Sequence, residues 1–128
     1  LDRKHIGRQA LKNAMLASIP ESDSGGVWIG DDDNILDPAM LSALLAYEDR
    51  QVDSVVFAQQ RGAKIAPPCA LVDRVDAAQF VGRRRMIGSH RLPETYNGDG
   101  HWIAGMAERG RMVYDSRPVT KYNGRTAC

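Results

Sequence analysis

Residues 27–38, VWIGDDDNILDP, constrain this chain more than any other stretch. Val27, Trp28 and Ile29 form an apolar run, then Gly30 is followed by three adjacent carboxylates, Asp31, Asp32 and Asp33. Like charges this close repel, and each raises its neighbours' proton affinity unless a cation or strong donors compensate. The apolar run therefore reads as a short buried strand ending at Gly30, with the acids emerging at its carboxyl end. Asp37 then reads as the N-cap, and Pro38 as the first-turn residue, of a helix carrying Met40, Leu41, Leu44 and Leu45. Such a loop has two readings. It is a solvated turn that caps a helix, or it is a site that holds a cation. Open α/β sheets bind ligands outside the carboxyl ends of their strands. Mg²⁺ or Mn²⁺ typically takes one or two carboxylates together with substrate phosphates.

The flanking segments supply the rest of an α/β layer. Residues 5–18 place Ile6, Ala10, Leu11, Met15 and Leu16 on one helical face, and IPESDSGG ends that pattern. VDSVVFAQQ is β-branched and reads as a strand. The order helix, strand, acid loop, helix, strand predicts a layered α/β fold with at least one parallel pair. After a break at Pro67 and Pro68, a short strand is expected over 69–73 and a helix over 75–82. SHRLPETYNGDG reads as a loop, GHWIAGMAERG as a short amphipathic helix ended by Gly110, and RMVYDS as a last strand.

At 128 residues, with 43% hydrophobic and 26% charged side chains, the chain fits one ordinary domain with a real core. Lys plus Arg is 17 against 16 Asp plus Glu, a net charge of +1. That balance gives no case for a nucleic-acid or membrane surface. Cys69 and Cys128 make no disulfide framework, so a reducing, cytoplasmic setting is expected. No apolar run is long enough to span a bilayer. The sequence does not begin with Met, and a piece of a longer chain is the expectation.

A second acid stands out by its setting. Asp99 lies between Gly98 and Gly100, directly before a helical pattern. Glycines there permit close backbone approach or positive φ. Asp99 is a helix cap, or it is a general base within reach of an acceptor hydroxyl. Other residues carry paired readings of the same kind. His90 and His101 are metal helpers or packing histidines. Trp102 is a sugar-stacking platform or core. The arginines at 83–85 meet a phosphate-rich or anionic acceptor, or form a solvated turn. Cys69 reads as a small buried residue.

Taken in order, these stretches resemble inverting glycosyltransferases of the GT-A fold, glycosyltransferase family 2, of the spore-coat polysaccharide type. The matching segments are GRQALKNAML, WIGDDDNILDPAMLSALL, VDSVVFAQ, APPCALVDRVDAAQFV, NGDGHWIAGMAERGRMVYD and KYN. The resemblance implies a GT-A-like layered sheet with flanking helices. It implies a metal and donor-diphosphate half over 1–60 and an acceptor and catalytic-base half over 61–128. It implies that Asp33, with Asp31, coordinates Mn²⁺ or Mg²⁺, and that Asp31, Asp32 and Arg8 contact a nucleotide-diphosphate sugar. Lys12 is an alternative to Arg8 on the diphosphate. Asp99 would be the catalytic base that deprotonates a glycan or other hydroxyl acceptor. The family's N-terminal, base-holding βαβ portion has no counterpart here, so the missing half of the same chain is an expected partner. Where the family carries an acid pair before its last helix, this sequence has Gly98 and Asp99, leaving one acid. An inactive transferase-like binding or subunit module is the alternative. A phosphoryl-transfer enzyme fits less well, because no P-loop accompanies the acids.

Overall fold

The computed structural model describes residues 3–30, 34–48 and 50–122, with the side chains of residues 3–6 and 122 excepted. In chain order it contains α1 (Arg3–Ala17), β1 (Gly26–Trp28), β2 (Asn34–Leu36), α2 (Ala39–Leu45), β3 (Ser54–Arg61) and β4 (Lys64–Ala66). A 3-10 turn (Ala77–Gln79), β5 (Phe80–Arg83), α3 (Arg84–Ile87), α4 (Gly98–Ala107) and β6 (Met112–Tyr122) follow. The strands form one sheet in the order β1-β5-β3-β6-β2, with β4 pairing the far end of β3. Strands from residues 1–60 and 61–128 therefore interleave.

β3 is the axis of this sheet. Its run Ser54, Val55, Val56, Phe57, Ala58 and Gln59 is buried on both faces, as expected of a strand covered on each side. Alternation sends Val56 into one core, with Leu16, Phe80, Ile87, Trp102, Ile103 and Met106. It sends Val55 and Phe57 into the other, with Met40, Ala43, Val52, Val81 and Val119. α1, α3 and α4 contribute to the first core, and the seven-residue α2 to the second. Next to α2 an apolar cavity of about 490 Å³ opens over β1, β5 and β3.

The expected parallel pair exists, between β3 and β6. β1 and β3 run the same way but are separated by β5, which is antiparallel to both. That strand corrects the helix expected over 75–82. Asp76 and Gln79 close one turn with a reciprocal capping box, and the backbone is already extended at Phe80 (φ −108°, ψ 134°). Phe80 and Val81 then bury on opposite faces, which a strand allows. The strand expected over 69–73 does not form. At its far end β3 pairs instead with β4, reached through Gly62 at φ 58°.

α1 forms where expected but turns a different face inward. Leu11 and Met15 are 62% and 45% exposed, while Gln9 and Lys12 are 3% and 5% exposed beside buried Leu16. Asn13 explains part of this orientation. Its amide donates to the Leu92 carbonyl at 2.9 Å, and its oxygen accepts from the Leu92 N–H at 2.8 Å. The inward face of α1 is thus a set of polar anchors for the loop that leads to α4. No described helix is long and apolar enough to cross a membrane.

Candidate active site

α4 begins in a tight backbone enclosure. A Cβ on Gly98 would lie 2.1 Å from the Pro93 carbonyl oxygen, and one on Gly100 would lie 1.7 Å from that of Val72. Neither glycine has positive φ. Both are required by close approach, one of the two uses the sequence left open. They fix Asp99 in the first turn of α4, where the helix dipole favours a negative charge.

Asp99 is not the helix cap, since that position belongs to Asn97. Its carboxylate turns toward α1 and the 3-10 turn. Oδ1 accepts from Gln9 Nε2 at 2.9 Å and from Lys12 Nζ at 3.2 Å. Oδ2 accepts from Lys12 Nζ at 3.4 Å and from the Ala77 N–H at 3.1 Å. The Lys12 and Asp99 side chains are 7% and 16% exposed. Burial alone would push this carboxyl up. The Lys12 ammonium, the Gln9 amide and the Ala77 N–H outweigh it and hold Asp99 below its ordinary value. Asp99 is therefore an ionised anchor at neutral pH, and it joins three elements.

Behind it lies a polar shelf that sequence reasoning missed. Gln59 and Gln79 are fully buried. Gln59 Nε2 donates to Asp76 Oδ2 at 3.0 Å, and Arg61 Nε donates to Gln59 Oε1 at 2.7 Å. Arg61 Nη2 also donates to Gln79 Oε1 at 2.9 Å, and Gln79 Nε2 to the Phe57 carbonyl at 2.9 Å. The D-x-x-Q spacing of Asp76 and Gln79 was the available signal, since an acid and a Gln three apart form a capping box. Gln9 had no comparable signal.

The other candidates separate cleanly. Asp31, Asp32 and Asp33 lie outside the described residues. Among the described residues no group of three or more His, Cys, Asp or Glu could hold a metal. Lys12 is engaged by Asp99, and Arg8, one helical turn before it, is half-buried. Trp102 is core, 1% exposed and edge-to-face with Phe80 at 5.0 Å. His90 bonds the Trp102 carbonyl at 3.0 Å, and His101 is exposed. Cys69 packs against the first core. The arginine run divides. Arg84 is buried and donates to the Ile19 and Gly88 carbonyls at 2.9 Å each, Arg83 donates to the Val52 carbonyl, and Arg85 is exposed. A separate network joins Tyr47, Asp115 and Arg117 beside an irregularity in β6.

The architecture is a mixed α/β fold of the GT-A glycosyltransferase type. Among solved structures, the chain is similar to the crystal structure of S. aureus TarS 1–349, with a TM-score of 0.69 at 12% identity. The match covers 90% of this chain and 40% of that one, so the chain spans well under half of its structural relative. No family model and no curated protein matches the sequence.

Proposed function

We propose that this chain is the catalytic part of an inverting, metal-dependent sugar transferase. It moves a sugar from a nucleotide-diphosphate donor to an acceptor hydroxyl on a glycan or similar molecule. One observation carries the reading: on a GT-A-type sheet, an ionised carboxylate at the first turn of α4 faces a cation-bearing helix across a glycine-enforced backbone junction. In this reading Asp99 is the acceptor-side base. Asp33 and Asp31 hold Mn²⁺ or Mg²⁺, which when bound supplies positive charge for the leaving diphosphate. Asp31, Asp32 and Arg8 contact the donor. Residues 1–60 serve the donor and 61–128 the acceptor, and the Lys12–Asp99 contact joins the two. The nucleotide base is held by a further segment, in keeping with the 40% share of TarS 1–349. The setting is cytoplasmic.

A second reading, a transferase-like binding module without activity, draws support from Asp99 itself. Both of its oxygens are already occupied, and its proton affinity is lowered.

The proposal is tested by calorimetric titration of the complete chain, as the cell makes it, with nucleotide diphosphates. Binding is expected to depend on Mn²⁺ or Mg²⁺ and to weaken about tenfold or more in Asp33→Ala, a loss of roughly 1.4 kcal/mol. Binding that is indifferent to both the ion and the substitution removes the metal-diphosphate site.

A further inference from the structure

The polar shelf behind Asp99 ends on Arg61, the last residue of β3, which is half-buried. β1 and β3 run the same way, so Arg61 lies at the sheet end where β1 also stops. Open α/β sheets bind ligands at that end. The Arg61 guanidinium donates from Nε to Gln59 Oε1 at 2.7 Å and from Nη2 to Gln79 Oε1 at 2.9 Å. Both acceptors are neutral amides. Among the described residues, no carboxylate pairs with Arg61.

The two glutamines are set to hold this guanidinium, and neither amide can simply be turned over. Gln59 Nε2 faces the Asp76 carboxylate at 3.0 Å and Thr120 Oγ1 at 3.5 Å. Gln79 Nε2 faces the Phe57 and Pro67 carbonyls at 2.9 and 3.4 Å. Those acceptors turn each amide oxygen toward Arg61. Gln59 and Gln79 are both 0% exposed, and burying an amide costs free energy unless its bonds are made. The bonds made here orient Arg61 without neutralising it. A guanidinium has five N–H donors in a planar fork, and Nη1 has no partner among the described residues. That leaves a fixed, charged edge suited to a pair of anionic oxygens. The shelf also reaches the base. Asp76, which accepts from Gln59, directly precedes Ala77, whose N–H donates to Asp99 Oδ2.

We propose that the acceptor is anionic and that Arg61 binds its phosphate or carboxylate group beside Asp99. This rests on the sugar-transfer reading and leaves Asp99 as the base. Arg61 holds a group that does not react, so its part is recognition. It takes the anionic-acceptor role that the sequence offered to residues 83–85, where Arg83 and Arg84 are bound to backbone carbonyls.

Two measurements on the complete chain test this. In ¹H–¹⁵N NMR, the Arg61 Nε–H resonance, identified by its loss in Arg61→Gln, is expected to shift saturably with inorganic phosphate or acetate. Sodium chloride at equal ionic strength is the control. A resonance moved no further by either anion than by chloride overturns the site, whatever the protein's activity. In a transfer assay with a panel of nucleotide-diphosphate sugars, a neutral glycan is compared with its phosphorylated and uronate forms. One charged form is expected to have an acceptor KM lower by about tenfold to a hundredfold, and which one it is separates phosphate from carboxylate. Arg61→Gln is expected to abolish that advantage with donor KM unchanged. Arg61→Lys, which keeps the charge without the fork, is expected to retain part of it. Equal KM for neutral and charged acceptors in the parent overturns the acceptor role. So does an advantage that survives in Arg61→Gln, or a rise in donor KM in its place. Absence of transfer by the parent to all three acceptors overturns the transfer reading and the acceptor role with it, and the NMR result then decides the anion site alone.

Discussion

Gly100→Ala is expected to cost the fold about 3 kcal/mol or more, the upper end of overpacking penalties. The added methyl would lie 1.7 Å from the Val72 carbonyl oxygen and 2.4 Å from its carbon. Those are backbone atoms, so no rotamer change relieves the clash. One side must move, either the loop through Val72 or the start of α4, and either shift displaces Asp99 from Ala77 and Lys12. A domain with a typical 5–15 kcal/mol of stability loses a large share of it. Urea unfolding measures this directly. Gly7→Ala serves as the contrasting case. It sits in α1 with nothing within 4 Å of a new Cβ, and it is expected to stabilise by up to about 1 kcal/mol. Equal midpoints for parent and Gly100→Ala would show that the α4 junction is looser than described.

The second large effect belongs to Asp99. Asp99→Ala removes the shared acceptor of Lys12, Gln9 and the Ala77 N–H, and is expected to destabilise by about 3 kcal/mol. Combining Asp99→Leu with Lys12→Met should recover part of that loss, because the two groups interact across a largely buried contact. A double-mutant cycle is expected to give a coupling of about 1 kcal/mol or more. Strict additivity would mean the contact contributes nothing. The sign with pH follows from the lowered folded-state value. A depressed carboxyl stabilises the fold fully above its unfolded value near 3.8 and loses that contribution as pH falls through the lower folded value. In parent protein, stability should therefore decline below about pH 4, and less steeply in the Lys12→Met, Asp99→Leu double variant.

The legible parts of this molecule were those where local pattern and burial agree. The β-branched run of β3, the helix after Asp37 and the glycine-bounded helix around Trp102 all stand where the sequence puts them. α1 was legible as a helix but not in its orientation. Apolar spacing turned Leu11 and Met15 inward, whereas the real inward face carries Gln9, Lys12 and Asn13, whose partners lie some 80–90 residues away. No short-range pattern announces such contacts. β5 was misread because Ala77, Ala78 and Gln79 favour helix locally, while pairing with both β1 and β3 decides the segment. The tight backbone junction around Asp99 was legible in its flanking glycines.

The central claim, sugar transfer with inversion on this GT-A-type frame, is tested most directly by product stereochemistry. The complete chain is incubated with Mn²⁺ and a panel of nucleotide-diphosphate sugars with a hydroxyl acceptor, and the anomeric configuration of the new bond is read by proton NMR. The account predicts a product of the opposite anomeric configuration to the donor, formed by the parent and lost in Asp99→Asn. A product that keeps the donor's configuration, or equal yield from Asp99→Asn, would contradict it.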